Sequence, residues 1–417
     1  MTVNANSPDF PAAPPAASPA EGGAATSTGP SPGNLLVGEW RRILSLREMG
    51  VYYALILLVV VLSLVTGYLG KPNYLSALNL TNILYQTSLV GIVAVAMTVV
   101  LITGNFDLSV ASVGALSAAV LIGTADVIGF WPAVSVSLMV AVAAGLFNGI
   151  IVQYLKINAF IVTLGSLTAI RGLVLIYTDG RSISTKNPEV LDAMKAFESG
   201  RIDIGFVVLG IGIVMFCAGL LLAYMRARRG GLLNPAATGL SLGGIVLAAI
   251  GWLGGSQLAV GKPVIYMAIF TLSVWFVLNF TNVGRRIYAV GGNPEAARLS
   301  GINVTRYRLL AFVFCSAAAG FAGILFASRL RSINPAALSG QELTVIAAAI
   351  LGGTSLFGGA GSVIKTLAGA LLLYTLTNGF NITNLGANYQ GLIEGLVVIT
   401  AAAIYTVGGN KRRSKTG

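Results

Sequence analysis

Histidine is missing from this chain of 417 residues, and cysteine occurs only as Cys217 and Cys315. Without imidazole there is no His-based triad, no His general base and no His-ligated metal site. Both cysteines lie in apolar stretches with no Cys-x-x-Cys spacing, so neither a disulfide framework nor a thiol enzyme is expected. Charge is scarce as well. Asp, Glu, Lys and Arg make up 10% of the residues, against about 25% in soluble domains. What the chain has instead is apolar: 55% of residues are hydrophobic and mean hydropathy is +0.83. An ordinary core cannot hide so much apolar surface, so the bilayer is the expected solvent. The net charge of +12 would point to nucleic acid in a soluble protein. Here the basic residues sit in short tracts beside apolar runs, which reads as membrane orientation and not as nucleic-acid binding.

Residues 1–38 are rich in Pro, Ala, Ser and Gly and are expected to form a disordered cytoplasmic tail, not a secretory signal. Residues 39–408 read as an all-α integral membrane domain, and 409–417 as a basic cytoplasmic tail. A spanning helix needs roughly 20 mostly apolar residues. Twelve stretches come close, near 51–69, 82–103, 108–128, 132–154, 159–178, 204–225, 239–259, 263–280, 307–328, 343–359, 363–380 and 389–407. In 108–128 and 343–359 Gly and Ser are dense enough to predict a broken or re-entrant helix. With both termini cytoplasmic, 17 Lys and Arg fall inside and 8 outside, and Arg171 lies within a span, which accounts for all 26. That asymmetry favours the orientation chosen.

Two loops carry organised helix signals. In the outer loop 179–203, Asn187 and Pro188 open a helix whose Val190, Leu191, Met194 and Phe197 share one face. It fits either a structured cap over the bundle or a docking surface for an extracytoplasmic partner. In the inner loop 281–306, Gly291, Gly292 and Asn293 read as a flexible turn and Pro294 as a first helical position. Glu295 to Ser300 can then form about one and a half turns before Gly301 ends them. A short capped helix held off the membrane by flexible flanks suits a partner's groove. The tract Gly352 to Ser362, with Lys365 and Thr366 beyond it, lacks the second glycine of a phosphate loop and follows no soluble strand, so nucleotide binding is not expected. Asp107 and Ser109 are placed to cap the helix after them. Asn-Gly recurs at 148–149 and 378–379, a hint of duplicated or inverted halves.

Ionisable groups within spans usually face protein or water. Arg171 and Glu394 lie at similar depth near the outer ends of their helices. They can form an ion pair or a gate, or each can snorkel to the interface. Glu394 is the one credible carboxylate within a span, with Asp107 and Glu342 at the edges. Coupling to protons or sodium would call for more, so an energy source outside this chain is expected. Tyr85, Gln86, Asn148, Trp275, Tyr374, Asn378 and Gln390 offer uncharged polar or aromatic groups that suit a neutral, hydroxyl-rich solute as well as ordinary helix packing.

The tracts TGNFDLSVASVGALSAAV at 103–120, NAFIVTLGSLTAIRGLVLIYTDGRSI at 158–183, VGRRIYAVGGNPEAARLSGINV at 283–304 and ILGGTSLFGGAGSV at 350–363 resemble the ribose and xylose class of bacterial ABC sugar-transport permeases. The resemblance runs from about residue 50 to 407. It implies a permease of the inner membrane that works as a homodimer or paired permease, driven by a cytoplasmic ATP-binding subunit and supplied by an extracytoplasmic sugar-binding protein. On it, Gly292, Asn293, Pro294, Glu295, Ala296, Ala297, Arg298, Leu299, Ser300 and Gly301 match the coupling helix that enters the ATPase cleft. The chain would then carry no cofactor and no enzymatic activity of its own. An extra hydrophobic pair at about 204–260 departs from the shorter ribose pattern and leaves a ten-span core when removed. The longer form resembles xylose permeases, which makes D-xylose or another pentose the first expectation. Ribose, a hexose, a furanone signal and a branched amino acid are the alternatives. An intramembrane enzyme would need a catalytic cluster at one depth, and no such cluster stands out in the sequence.

Overall fold

The computed structural model describes residues 46–228, 235–255 and 258–384, with isolated positions between 389 and 399. Among these, ten helices are long and apolar enough to cross a membrane. In chain order they begin with α1 (Leu46–Tyr68), α2 (Ala77–Ile102), α3 (Val110–Ile128), α4 (Phe130–Tyr154) and α5 (Ala159–Tyr177). After a short helix α6 (Pro188–Glu198) come α7 (Gly205–Arg228), α8 (Pro235–Gly254) and α9 (Lys262–Phe280). Two short helices, α10 (Asn282–Gly292) and α11 (Pro294–Leu299), lead into α12 (Val304–Leu330). Helix α13 (Gln341–Leu351) and the long α14 (Val363–Thr383) follow. The strands are vestigial: β1 (Ile183–Ser184) pairs antiparallel with β4 (Ser332–Ile333), and β2 (Arg201–Asp203) with β3 (Ala259–Gly261). Lone β hairpin edges cannot cross a membrane, whereas helices satisfy their own backbone groups.

The expected twelve spans are not all present in that form. The stretch 343–359 is an 11-residue helix that stops at Leu351, where Gly353 turns at φ +79 and an irregular glycine tract continues. At about 1.5 Å per residue such a helix covers only half of the hydrocarbon. The stretch 108–128, in contrast, is a continuous helix from Val110. The last expected span, 389–407, lies almost wholly outside the described residues, as do Glu394 and the tails 1–38 and 409–417.

Two halves repeat a plan. In the first, α2 ends, an irregular loop follows, α3 opens on Asp107-Leu108-Ser109-Val110, and α4 carries Asn148-Gly149. In the second, α12 ends, a loop follows, α13 opens on Glu342-Leu343-Thr344-Val345, and α14 carries Asn378-Gly379. The first loop lies at the α11 end of the bundle, with Arg308 donating to the Thr103 carbonyl, and the second pairs with β1 beside α6 at the other end. The halves are thus inverted, and they cross: α4 packs on α12, and α14 packs on α2. Small residues allow the approach. A Cβ on Gly145 would lie 2.8 Å from the Phe312 carbonyl oxygen, and one on Gly323 would lie 2.0 Å from that of Gly114. The Gly145/Gly149 pair therefore serves packing inside the chain.

The extra pair α7 and α8 is a hairpin closed on itself. Gly205, Gly212 and Gly219 recur every seventh residue on α7, and Gly244 and Gly251 do the same on α8. Each of these glycines faces partner backbone, the Gly212 position lying 2.3 Å from the Ala248 nitrogen. The rest of the hairpin is largely exposed, and no other helix among the described residues packs extensively on it. It is tied to the bundle through the β2–β3 ladder, in which Asp203 lies opposite Ala259.

Candidate functional site

The segment 282–301 is more rigid than its glycines imply. Residues 282–292 form helix α10, so Gly291 and Gly292 lie in a helix and not in a flexible turn. Gly291 is there for closeness: its α-carbon rests against the Ile102 carbonyl at the end of α2 and against Gly359 of the glycine tract. Gly359 donates its N–H to that same carbonyl at 2.9 Å, and Tyr288 donates its hydroxyl to the Gly361 carbonyl at 2.9 Å. The two glycine tracts, 103–105 and 352–361, therefore meet beneath α10 and lock it to the bundle.

Helix α11 stands on this base. Asn293 caps it, its side-chain oxygen accepting from the N–H groups of Glu295 at 3.1 Å and Ala296 at 3.0 Å. Pro294 takes the first helical position, and Gly301 at φ +77 ends the turn. Ala297 alone points inward, packed with Val290 and Val304. Glu295, Ala296, Arg298 and Ser300 are exposed, and Leu299 is 87% exposed. Close by, the turn Ser355–Gly358 presents Phe357 at 93% exposure. Sequence reasoning missed Phe357; its signal was an aromatic residue inside a glycine tract with no room to fold inward. An open cavity of about 610 Å³ adjoins α11, with Lys156, Arg298 and Arg308 in its wall and no carboxylate among the described residues. Arg308 also escaped the sequence reading, as a cation one turn into an apolar helix.

Asp107 and Asn148 are brought together. Ser109 donates both its N–H, at 3.0 Å, and its hydroxyl, at 2.6 Å, to Asp107 Oδ1. Asn148 Nδ2 donates to Ser109 Oγ at 2.9 Å, and Ser166 donates to Asn148 Oδ1 at 2.5 Å. The network ties α3, α4 and α5 through fully buried groups. Asp107 accepts the N–H two residues on, just ahead of α3, and the Ser109 hydroxyl is committed back to Asp107 and makes no cap bond of its own. Asp107 Oδ2 is buried without a hydrogen-bond partner among the described residues.

The other candidates stand apart from this network. Asn378 on α14 donates to Asn79 Oδ1 at 3.0 Å. Arg171 on α5 donates to the carbonyls of Pro335, at 2.9 Å, and Ala337, at 2.7 Å, and so ties the loop before α13 to α5. Glu342 at the start of α13 adds an attractive charge, while the proposed partner Glu394 lies outside the described residues. At the same end of the molecule α6 forms as expected, with Asn187 accepting from the Glu189 N–H and with Val190 and Met194 buried against the bundle. Tyr374 donates to Gln341 at 3.2 Å.

Residues 79–402 match the family model described as the branched-chain amino acid transport system / permease component. The xylose transport system permease protein of Escherichia coli strain K12 is 34% identical over 369 residues, 87% of this chain and 93% of that protein. The ribose import permease protein of the same strain is 35% identical over 356 residues, 84% of this chain and 92% of that protein. The ribose import permease protein of Bacillus subtilis strain 168 is 31% identical over 361 residues, 86% of this chain and 92% of that protein. No solved structure matches the chain. A bundle of spanning helices in inverted halves and a family match across most of its length lead to one conclusion: this chain is a multi-pass membrane protein that belongs to the branched-chain amino acid transport system permease family.

Proposed function

We propose that the chain is the permease subunit of an ATP-driven importer of a neutral monosaccharide, D-xylose or another pentose first, in a bacterial inner membrane. Two such subunits pair, with both termini and the α10–α11 end in the cytoplasm and α6 on the outer side. A cytoplasmic ATP-binding subunit receives α11, and an extracytoplasmic sugar-binding protein delivers the solute. The observation that supports this reading best is the build of α11: capped at both ends, exposed along Arg298 and Leu299, and seated on a glycine-packed base joined to α2 and α14 through 352–361. Force applied to α11 passes directly to spanning helices, because no flexible segment intervenes. Phe357 adds a second apolar contact for the same partner beside Leu299. Nucleotide and binding protein act by favouring different states of the bundle, since a ligand shifts an equilibrium only through its differential affinity for the states.

The pentose preference rests on the relatives named for xylose and ribose. The test is reconstitution of this chain with its ATP-binding subunit and binding protein in liposomes, followed by uptake of labelled D-xylose, D-ribose and leucine. Sugar uptake with sugar-stimulated ATP hydrolysis supports the reading. Uptake of leucine alone replaces the substrate, and hydrolysis by the isolated chain overturns the assignment as a permease.

A further inference from the structure

At the α6 end of the bundle, away from the buried network and from α11, a cavity of about 260 Å³ opens between the first turns of α2, the end of α6, the β2–β3 ladder and the end of α12. Its wall contains Asn82, Tyr85, Glu198, Arg201 and Arg329. We propose that this cavity is a low-affinity receiving site for a neutral, hydroxyl-rich solute, in which Glu198 accepts and Arg329 donates hydrogen bonds to sugar hydroxyls.

Glu198 is 3% exposed. One of its oxygens accepts from the Ser199 hydroxyl at 2.9 Å, and the other, Oε1, is buried without a hydrogen-bond partner among the described residues. Leaving a buried acceptor unpaired is costly, so an unpaired one at a cavity wall marks the place of an absent donor. Arg329 stands over the Tyr85 ring, 4.5 Å from its centre. Glu198 and Arg329 do not close into an ion pair with each other. They influence each other across the space: Arg329 and then Arg331 draw the Glu198 carboxyl down, against the stronger upward push of burial. Gly261 lets the Tyr85 ring close on the ladder, since a Cβ there would lie 2.7 Å from the ring edge.

The arrangement selects for neutrality. An anion meets the unpaired Glu198 oxygen, and a cation meets Arg329 and Arg201. A hydroxyl both donates and accepts, so a polyol satisfies Glu198 and Arg329 together. The space equals several waters at roughly 30 Å³ each, enough for a single small sugar and not for an oligosaccharide.

This inference rests on the proposed sugar transport, and the experiment separates the two. The complete transporter without its binding protein is placed in nanodiscs, and saturation transfer to D-xylose and D-ribose is measured by NMR for wild type, Glu198→Gln, Arg329→Gln and Asn82→Ala. The expected result is a signal in wild type that falls at least fivefold in the first two variants and less in the third, with Lys195→Gln as an unaffected control on the exposed face of α6. Thermal unfolding of each variant guards against misfolding. No signal in wild type, or equal signals in folded variants, overturns the receiving site. In the parallel uptake assay the half-saturating sugar concentration should rise about tenfold for Glu198→Gln. Wild-type sugar uptake with unchanged variants sinks the site and keeps the transport reading, whereas a variant-sensitive signal without any wild-type uptake does the reverse. A variant that weakens binding-protein docking while saturation transfer stays intact also overturns the site.

Discussion

Gly291 packs so tightly on Ile102 that a Cβ built on the glycine would lie 1.6 Å from the Ile102 carbonyl oxygen. Its neighbour Gly292 has no atom closer than 3.9 Å to the same construction. Both lie in α10, so the pair isolates contact from helix propensity. Gly291→Ala is expected to force α10 off α2 and to destabilise the protein by about 1–3 kcal/mol, with loss of co-purification of the ATP-binding subunit. Gly292→Ala is expected to be neutral or slightly stabilising. Thermal unfolding and pull-down of the two variants side by side check this, and identical behaviour would contradict the packing account.

Asn293 supplies both side-chain cap bonds of a helix only six residues long. Asn293→Ala should cost α11 about 1 kcal/mol, a roughly fivefold fall in its folded-to-unfolded ratio, and should slow sugar-stimulated ATP hydrolysis. Leu299→Asp leaves the caps and the buried Ala297 untouched, so α11 stays folded while its most exposed apolar contact is lost. Uptake is expected to fall more than tenfold in Leu299→Asp without a change in melting temperature. Phe357→Asp should behave in the same way.

Asn148 satisfies Ser109 and Ser166 at once. Asn148→Leu leaves the Ser166 hydroxyl without its acceptor and Ser109 Oγ without its incoming N–H, while Ser109 still donates to Asp107, and is expected to destabilise the chain by about 1–3 kcal/mol, lowering the melting temperature in detergent. Ser166→Ala removes a donor and frees only one acceptor, so its effect should be smaller. A larger effect from Ser166→Ala would show that the network is held elsewhere.

The apolar spans, the cap of α6 and the cap of α11 were legible because each follows local rules: run length, Asn before Pro, Gly after the last turn. The half-length of α13 was partly legible, since Gly and Ser crowd 343–359. The rigidity of 282–301 was not. A glycine reads alike whether it bends or is pressed against a neighbour, and only the carbonyl of Ile102, 189 residues earlier in the chain, distinguishes the two for Gly291. The partners of Arg171 were hidden for a similar reason: backbone carbonyls at Pro335 and Ala337 leave no mark in side-chain composition. The repeat of Asp107-Leu-Ser-Val as Glu342-Leu-Thr-Val is four residues long and becomes evident only when both are seen to open a helix after an irregular loop.

Arg171 holds the loop before α13 through two carbonyls. One nitrogen, Nη1, donates both bonds, so Arg171→Lys keeps the charge and a multi-donor head group, though on a more mobile stem; uptake should drop only modestly, and Arg171→Ala should lose it almost entirely. Because the carbonyls carry the interaction, adding Glu394→Ala to Arg171→Ala is expected to restore nothing. Recovery in the double variant would instead establish an ion pair between these residues.

The hairpin of α7 and α8 packs on itself, and its stem residues Asp203 and Ala259 face each other in the β2–β3 ladder. Excision of 204–258 with a two-glycine link is therefore expected to leave a chain that inserts, pairs with its ATP-binding subunit and retains at least half of wild-type uptake. Failure to insert would show that the hairpin is needed to build the bundle.

The crossing of α4 with α12 and of α14 with α2 bears on how the protein is made. During synthesis the surfaces of Gly145 and Gly149 emerge more than 150 residues before the backbone of α12 that will cover them. Until then they must face lipid, where glycine neither fills space nor binds a partner. The amino-terminal half thus waits in the bilayer with α3, α4 and α5 tied through Asn148 but with the α4 face that α12 covers still open, and a ribosome stalled before residue 304 would leave that face exposed to membrane quality control.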